Sequence, residues 1–216
     1  MKKLLLASTC LFGCGTEQAS DLDIVGGQKV YRSYYGKAGG CGSTLIHKRW
    51  AISAKHCGNP TKAIFGLYRR NDPDNGGRPK DEVRITNIIK HPSWDLQLLK
   101  LERKVKFTPI RLHDGLLEDK QRLAAFGFGN TIGGESSAPE YLQGAVFFYD
   151  GDGAREGIIR ASNRPNAAVC HGDSGGPLVA DGKLVATVTF TEGKCSIYGS
   201  MGFTRLDYDW IRRHVK

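Results

Sequence analysis

Hydrophobic positions in this chain come in short runs rather than long helical stripes. After residue 24 the runs are Ser43–Ile46, Trp50–Ser53, Lys62–Leu67, Val83–Ile89, Leu96–Leu101, Leu123–Phe128, Gly144–Phe148, Leu184–Phe190 and Met201–Leu206. Most are of strand length, and several are rich in Val, Ile, Thr or aromatic residues. Turn formers separate them, as in Asn71-Asp72-Pro73-Asp74-Asn75-Gly76-Gly77 and Asp150-Gly151-Asp152-Gly153. Many short strands with such punctuation predict a β-barrel or sandwich. Only the end has a helical pattern: Tyr208–Lys216 sets Trp210, Ile211 and His214 near one face. The polar stretch around Lys104–Arg111 reads as a seam between two strand-rich halves.

The first residues follow a different rule. Lys2 and Lys3 precede an apolar stretch, Leu4–Gly13, too short to span a bilayer but suited to an export signal. Leu11-Phe12-Gly13-Cys14 resembles a bacterial lipoprotein processing site, although Phe12 is bulky for that pattern. Two fates stay open: lipidation of Cys14, which would hold the precursor on a membrane, and ordinary signal cleavage.

Composition sharpens this picture. The chain has 216 residues, 40% of them hydrophobic and 25% charged, which is globular rather than disordered. Of six cysteines, Cys10 and Cys14 fall in the leader. Without residues 1–23, Cys41, Cys57, Cys170 and Cys195 remain, and an even number in an exported chain reads as two disulfides. No paired C-x-x-C spacing supports zinc. Processing also raises the formal net charge from +9 to +10, a solvated basic surface suited to anionic cell surfaces. The basic residues are scattered without a recognition motif, so nucleic acid is not an expected partner. Asp72 with Asp74, and Asp150 with Asp152, look like acidic calcium loops, but neither has a complete ligand pattern. They read as turns, and no metal or cofactor is expected.

Chemistry concentrates in Cys170-His171-Gly172-Asp173-Ser174-Gly175-Gly176-Pro177-Leu178. A serine flanked by glycines leaves its hydroxyl unobstructed. The amides of Gly172 and Ser174 can point at one carbonyl oxygen, forming an oxyanion hole. A serine hydroxyl is a weak nucleophile and needs a base. His56, in Ala51-Ile52-Ser53-Ala54-Lys55-His56-Cys57, is the candidate. Asp95, opening the apolar run Leu96–Leu101, is the candidate carboxylate to orient it.

These segments resemble the trypsin-like, chymotrypsin-fold serine proteases. Ile24-Val25-Gly26-Gly27 resembles the activated family N-terminus. Cys41–Ile46 with Trp50–Cys57 resembles the block around the catalytic histidine, and Gly127-Phe128-Gly129-Asn130-Thr131 a further family segment. Thr189-Phe190-Thr191 resembles the stretch that pairs with substrate backbone. The resemblance implies an all-β fold of two six-stranded antiparallel barrels with a C-terminal helix, the site lying in the cleft. Residues 1–23 would be signal and pro-segment, 24–106 the first barrel, and 107–216 the second barrel with the helix. It implies a triad of His56, Asp95 and Ser174, oxyanion donors Gly172 and Ser174, and bridges Cys41–Cys57 and Cys170–Cys195. It also implies activation by a cut after Asp23, the new amino group of Ile24 pairing with Asp173. Peptides would be substrates and proteinaceous inhibitors partners of a secreted or periplasmic monomer.

Specificity is less settled by the resemblance. Ala168 stands where a basic preference would need Asp, so cleavage after Lys or Arg is not expected. Thr191 and Met201 align with pocket walls and are bulky, which resembles elastase-like enzymes and favours small side chains. If Gly199 or Gly202 is the wall, a larger apolar side chain fits. An acidic preference, with His171 at the rim, is a third option. Thr189 and Phe190 complete the expected substrate-binding set. Departures from the pattern are Lys55 beside the histidine, shortened stretches before Asp95 and near Arg160, and a missing disulfide there. The compact length is closer to bacterial members. Rival readings are a non-catalytic binding module on the same fold and an esterase.

Overall fold

The computed structural model describes residues 24–131, 138–191 and 195–216, apart from the side chains of Phe190 and Thr191. Cys14 and the rest of residues 1–23 lie outside the described residues. A short strand, β1 (Gln28–Lys29), precedes a closed antiparallel barrel of β2 (Tyr35–Ala38), β3 (Cys41–His47), β4 (Trp50–Ser53), β5 (Lys62–Phe65), β6 (Asp81–Lys90) and β7 (Gln97–Leu101). Its order is β2-β3-β4-β7-β6-β5. After β8 (Arg111–Leu112) come β9 (Arg122–Gly127), β10 (Gln143–Asp152), β11 (Ile158–Ser162), β12 (Pro177–Ala180), β13 (Lys183–Thr191) and β14 (Met201–Arg205). These run β10-β11-β14-β13-β12-β9, and β9 pairs back onto β10 to close a second barrel. The helix α1 (Tyr208–His214) ends the chain. This is the expected two-barrel, mostly β fold with a terminal helix.

All nine apolar runs form strands. Three barrel strands had no such run. In β2, Gly36 and Lys37 interrupt the apolar pattern; a Cβ at Gly36 would lie 2.6 Å from the Phe65 ring. In β11, Ile159 and Ala161 face the core and alternate with half-exposed Arg160. In β12, the strand begins at Pro177, directly after the loop that carries Ser174. Near the chain start, β1 pairs with β10, and Val25 forms a bridge with Ala168. The stretch from Val25 to Lys29 is thus laid against the second barrel.

Three apolar clusters fill the molecule. Leu45, Phe65, Leu99 and Leu101 fill the first barrel, and Ile24, Phe147, Met201 and Phe203 the second. A third, with Tyr35, Ile52, Leu96, Phe126, Phe128 and Trp210, binds the barrels together and seats α1. Burial of each such side chain stabilises the fold by about 1.5–3 kcal/mol. The helix is only two turns long and depends on that seat. Asp207 caps it by accepting from Trp210 N at 2.9 Å, and Arg212, Arg213 and His214 occupy its last turn, where the dipole favours cations.

Candidate active site

β4 runs directly into one turn of 3-10 helix, Lys55–Cys57, that carries His56. Cys57 is bonded to Cys41 at the start of β3, which ties this turn down. Asp95 lies on the loop between β6 and β7. It accepts twice from one residue: His56 N donates to Oδ1 at 2.8 Å, and Nδ1 to Oδ2 at 2.6 Å. Nδ1 therefore carries the hydrogen, and Nε2 is left as an acceptor. The His56 side chain is 45% exposed and Asp95 22%, so the imidazole faces the cleft while the carboxylate sits behind it. The bond to Asp95 raises the His56 pKa, against an opposing effect of burial. Burial pushes the Asp95 carboxyl up, but the bonds from His56 outweigh it and hold it below its ordinary value. Lys55 turns away from the ring and donates to the His91 carbonyl at 3.0 Å.

The serine loop is shaped by backbone and by Asp173. This carboxylate is fully buried and accepts from Gly129 N at 2.7 Å and Cys170 N at 2.9 Å. Burial pushes its pKa up to about 6, against those two bonds. Among the described residues it has no ion-pair partner. The amides of Asp173, Gly175 and Gly176 donate to Cys170 O, Val188 O and Asp173 O. Those of Gly172 and Ser174 donate to nothing among the described residues. Gly172 holds φ at +100°, a conformation open to glycine. The loop is also fixed by the Cys170–Cys195 disulfide.

The two halves of the site meet at a seam of small residues. Gly42 N donates to Ser174 O at 2.8 Å, and Ser53 Oγ to Gly42 O at 2.7 Å. A Cβ at Gly175 would lie 2.2 Å from Ser53 Oγ, and one at Gly42 2.8 Å from the Gly176 backbone.

Two cavities flank this junction. A smaller one of about 220 Å³ is lined by Ser174, His56, Val169, His171, Val188 and Thr189. A larger one of about 660 Å³ is lined by His56, Asp95, Arg155, Ile158, Arg160 and Thr189. Ala168 and Met201 are fully buried in the second-barrel core and line neither. Thr189 borders both, its hydroxyl bonded to that of Thr204 at 2.5 Å. Phe190 and Thr191 pair through their backbones with Gly202 and Met201, while their side chains lie outside the described part. Ile24 is fully buried at φ +46°. The acidic turns are engaged by protein: Asp72 accepts from Gly76 N at 2.8 Å, and Asp150 binds Lys120 and Ser162. Two residues were missed by sequence reading. His91 braces the Asp95 loop, and its only signal was its place four residues before Asp95. Arg155 gave no signal at all.

Comparison with known proteins agrees with this fold. Residues 24–211 match the family model described as Trypsin. Human kallikrein-8 is 27% identical, over 81% of this chain and 76% of its own. The chicken protein trypsin II-P29 is 29% identical, over 81% and 79%. The solved structure of neuropsin, a serine protease of mouse brain, superposes with a TM-score of 0.79 over 88% of this chain and 99% of its own, at 21% identity. Human heparin binding protein superposes at 0.77 over 88% and 96%, with 25% identity. These relatives come from animals and lend the bacterial expectation no support.

Proposed function

Because the chain belongs to the trypsin family of serine proteases, and so to the hydrolases that cut within polypeptides, we propose that His56, Asp95 and Ser174 carry its reaction. His56 Nε2 takes the proton from Ser174 as its oxygen attacks the scissile carbonyl. The imidazolium is stabilised by Asp95, then returns its proton to the leaving amine. The oxyanion is met by the free amides of Gly172 and Ser174. Water then attacks the acyl-enzyme by the same route. The observation that carries this reading is the doubly bonded His56–Asp95 pair on the cavity that holds Ser174, beside two unengaged amides.

The experiment is labelling with a fluorophosphonate, followed by cleavage of a peptide library. Modification of Ser174, and cutting, are expected. No labelling would turn the reading toward a binding module.

Activation is by a cut before Ile24, whose new amino group pairs with Asp173. The support is a fully buried carboxylate that has no ion-pair partner among the described residues, which is costly until one arrives. Cleavage falls after a small apolar residue. The cavity beside Ser174 is small, Ala168 offers no charge, and Met201 belongs to the same core cluster as the lining residues Val169 and Val188. The leader pattern and two disulfides support export, with anchoring through Cys14 before processing as one route.

A second reading concerns attachment. A groove of about 380 Å³ on the first barrel is lined by Lys37, Arg69, Arg70 and Lys80, with Asp72 as its one carboxylate and paired with Arg69. One structural relative is named for binding heparin. The groove fits a polyanion, and salt-dependent retention on heparin, weakened by Arg70→Glu, tests it.

A further inference from the structure

We propose that the larger cavity beside His56 is a carboxylate subsite, in which Arg155 binds an acidic side chain four residues before the scissile bond. This rests on the peptidase reading above and adds the substrate class. The two cavities share His56 and Thr189, so they adjoin at that pair. An extended chain sends successive side chains to opposite faces. If the residue before the cut enters the smaller cavity, the second and fourth residues before it enter the larger one. Those two positions are separated by roughly 6.6 Å along a strand.

Charge distinguishes them. The second position lies against His56, where the ionised Asp95 repels a carboxylate. The fourth reaches the turn that carries Arg155. That turn is fixed: Gly153 N donates to Ile158 O at 2.8 Å, and Ile158 N to Arg155 O at 3.2 Å. Gly157 lies under the Trp94 ring so closely that a Cβ there would sit 2.6 Å from it. The turn is thereby packed against the residue next to Asp95.

Arg155 itself is exposed and, among the described residues, its guanidinium makes no hydrogen bond or ion pair. Nearby Arg205, by contrast, is paired with Asp152. Guanidinium is the group suited to a carboxylate, since its planar fork donates two parallel bonds. Arg160 lines the same cavity from β11.

The test uses the full chain after processing, with peptides that differ only in Glu or Gln at the fourth or at the second residue before the cut. Wild type is expected to favour Glu at the fourth position by roughly tenfold in kcat/KM. Arg155→Ala should abolish that ratio, and Arg155→Glu should invert it in favour of Gln. The same peptides are also titrated calorimetrically onto Ser174→Ala protein. Cleavage indifferent to the fourth residue, or a preference confined to the second, overturns the subsite and leaves the peptidase reading standing. No cleavage by any protein, with the Glu preference kept in binding, overturns the peptidase reading and leaves the subsite.

Discussion

His91 donates its Nε2 hydrogen to Asp207 across 3.1 Å, joining the loop before β7 to the cap of α1. Its Nδ1 accepts from Ser93 N at 3.2 Å and Trp94 N at 2.7 Å. Its backbone N donates to Leu96 O at 2.9 Å, so one buried residue closes the loop that presents Asp95. The ring is stacked on Trp94, with centroids 5.3 Å apart, and meets Trp210 edge-on.

Two variants separate the ring's two roles. Asn at 91 can keep an acceptor near Nδ1, whereas Gln can reach toward Asp207 but loses it. His91→Gln and His91→Ala should lower kcat by up to about 100-fold through misplacement of Asp95. His91→Asn should recover most of it. Steady-state kinetics with the acid limb of the pH profile provide the check. Equal loss in all three would mean that His91 serves stability alone.

Replacing Asp95 by Asn presents an amide N–H to one of the two donors on His56. The favoured tautomer is then lost, and kcat should fall by about 10⁴-fold, a magnitude that belongs to this triad generally. The pH profile carries a second signature. His56 must be neutral to act, and its pKa is raised by Asp95, so activity should fall as pH drops through a value above 6.5. In Asp95→Asn that limb should move to lower pH. For stability the sign is opposite: the contribution of protonated His56 is present below its unfolded value and is lost as pH rises through the folded one. An unmoved limb would count against the pairing.

The uncut chain should be destabilised by ionisation of Asp173. Its pKa is raised from 3.8 to about 6 by burial, so the stability held by the protonated form is lost as pH rises through that window. The loss is about 3 kcal/mol. By the proposed activation, a cut before Ile24 should supply a cation and remove the penalty. It also abolishes the φ torsion at Ile24, whose left-handed value of +46° is strained for a β-branched residue. Urea denaturation of Ser174→Ala protein at pH 4 and 7.5, before and after the cut, measures both. Parallel pH dependence in the two forms would exclude the ion pair.

Met201→Ala should open space in the core cluster that holds Val169 and Val188, letting these two wall residues of the cavity beside Ser174 recede. The cost in stability is about 2–5 kcal/mol, as for other buried large-to-small changes. The preferred residue before the cut should shift from small to bulky apolar. A library profile unchanged by the substitution would place the specificity elsewhere.

Strands with uninterrupted apolar runs were legible because period and propensity agree there. β2, β11 and β12 were not, since glycine, arginine and proline break their patterns while pairing across the barrel holds them. His56, Asp95 and Ser174 were each legible from strongly typed local segments. Their supports were not. The contact from His91 to Asp207 spans 116 positions, and nothing local to either residue announces it. The direction taken by Lys55 depended likewise on a carbonyl from a distant loop.

The glycine seam at Gly42, Gly175 and Gly176 has a consequence for engineering by recombination. The spacing of the two loops is set there by backbone packed against backbone and against the Ser53 hydroxyl, with no room for a side chain at any of the three glycines. A barrel grafted from another relative would need matching glycines on both faces, or the catalytic groups would be held apart in two halves that are each well folded.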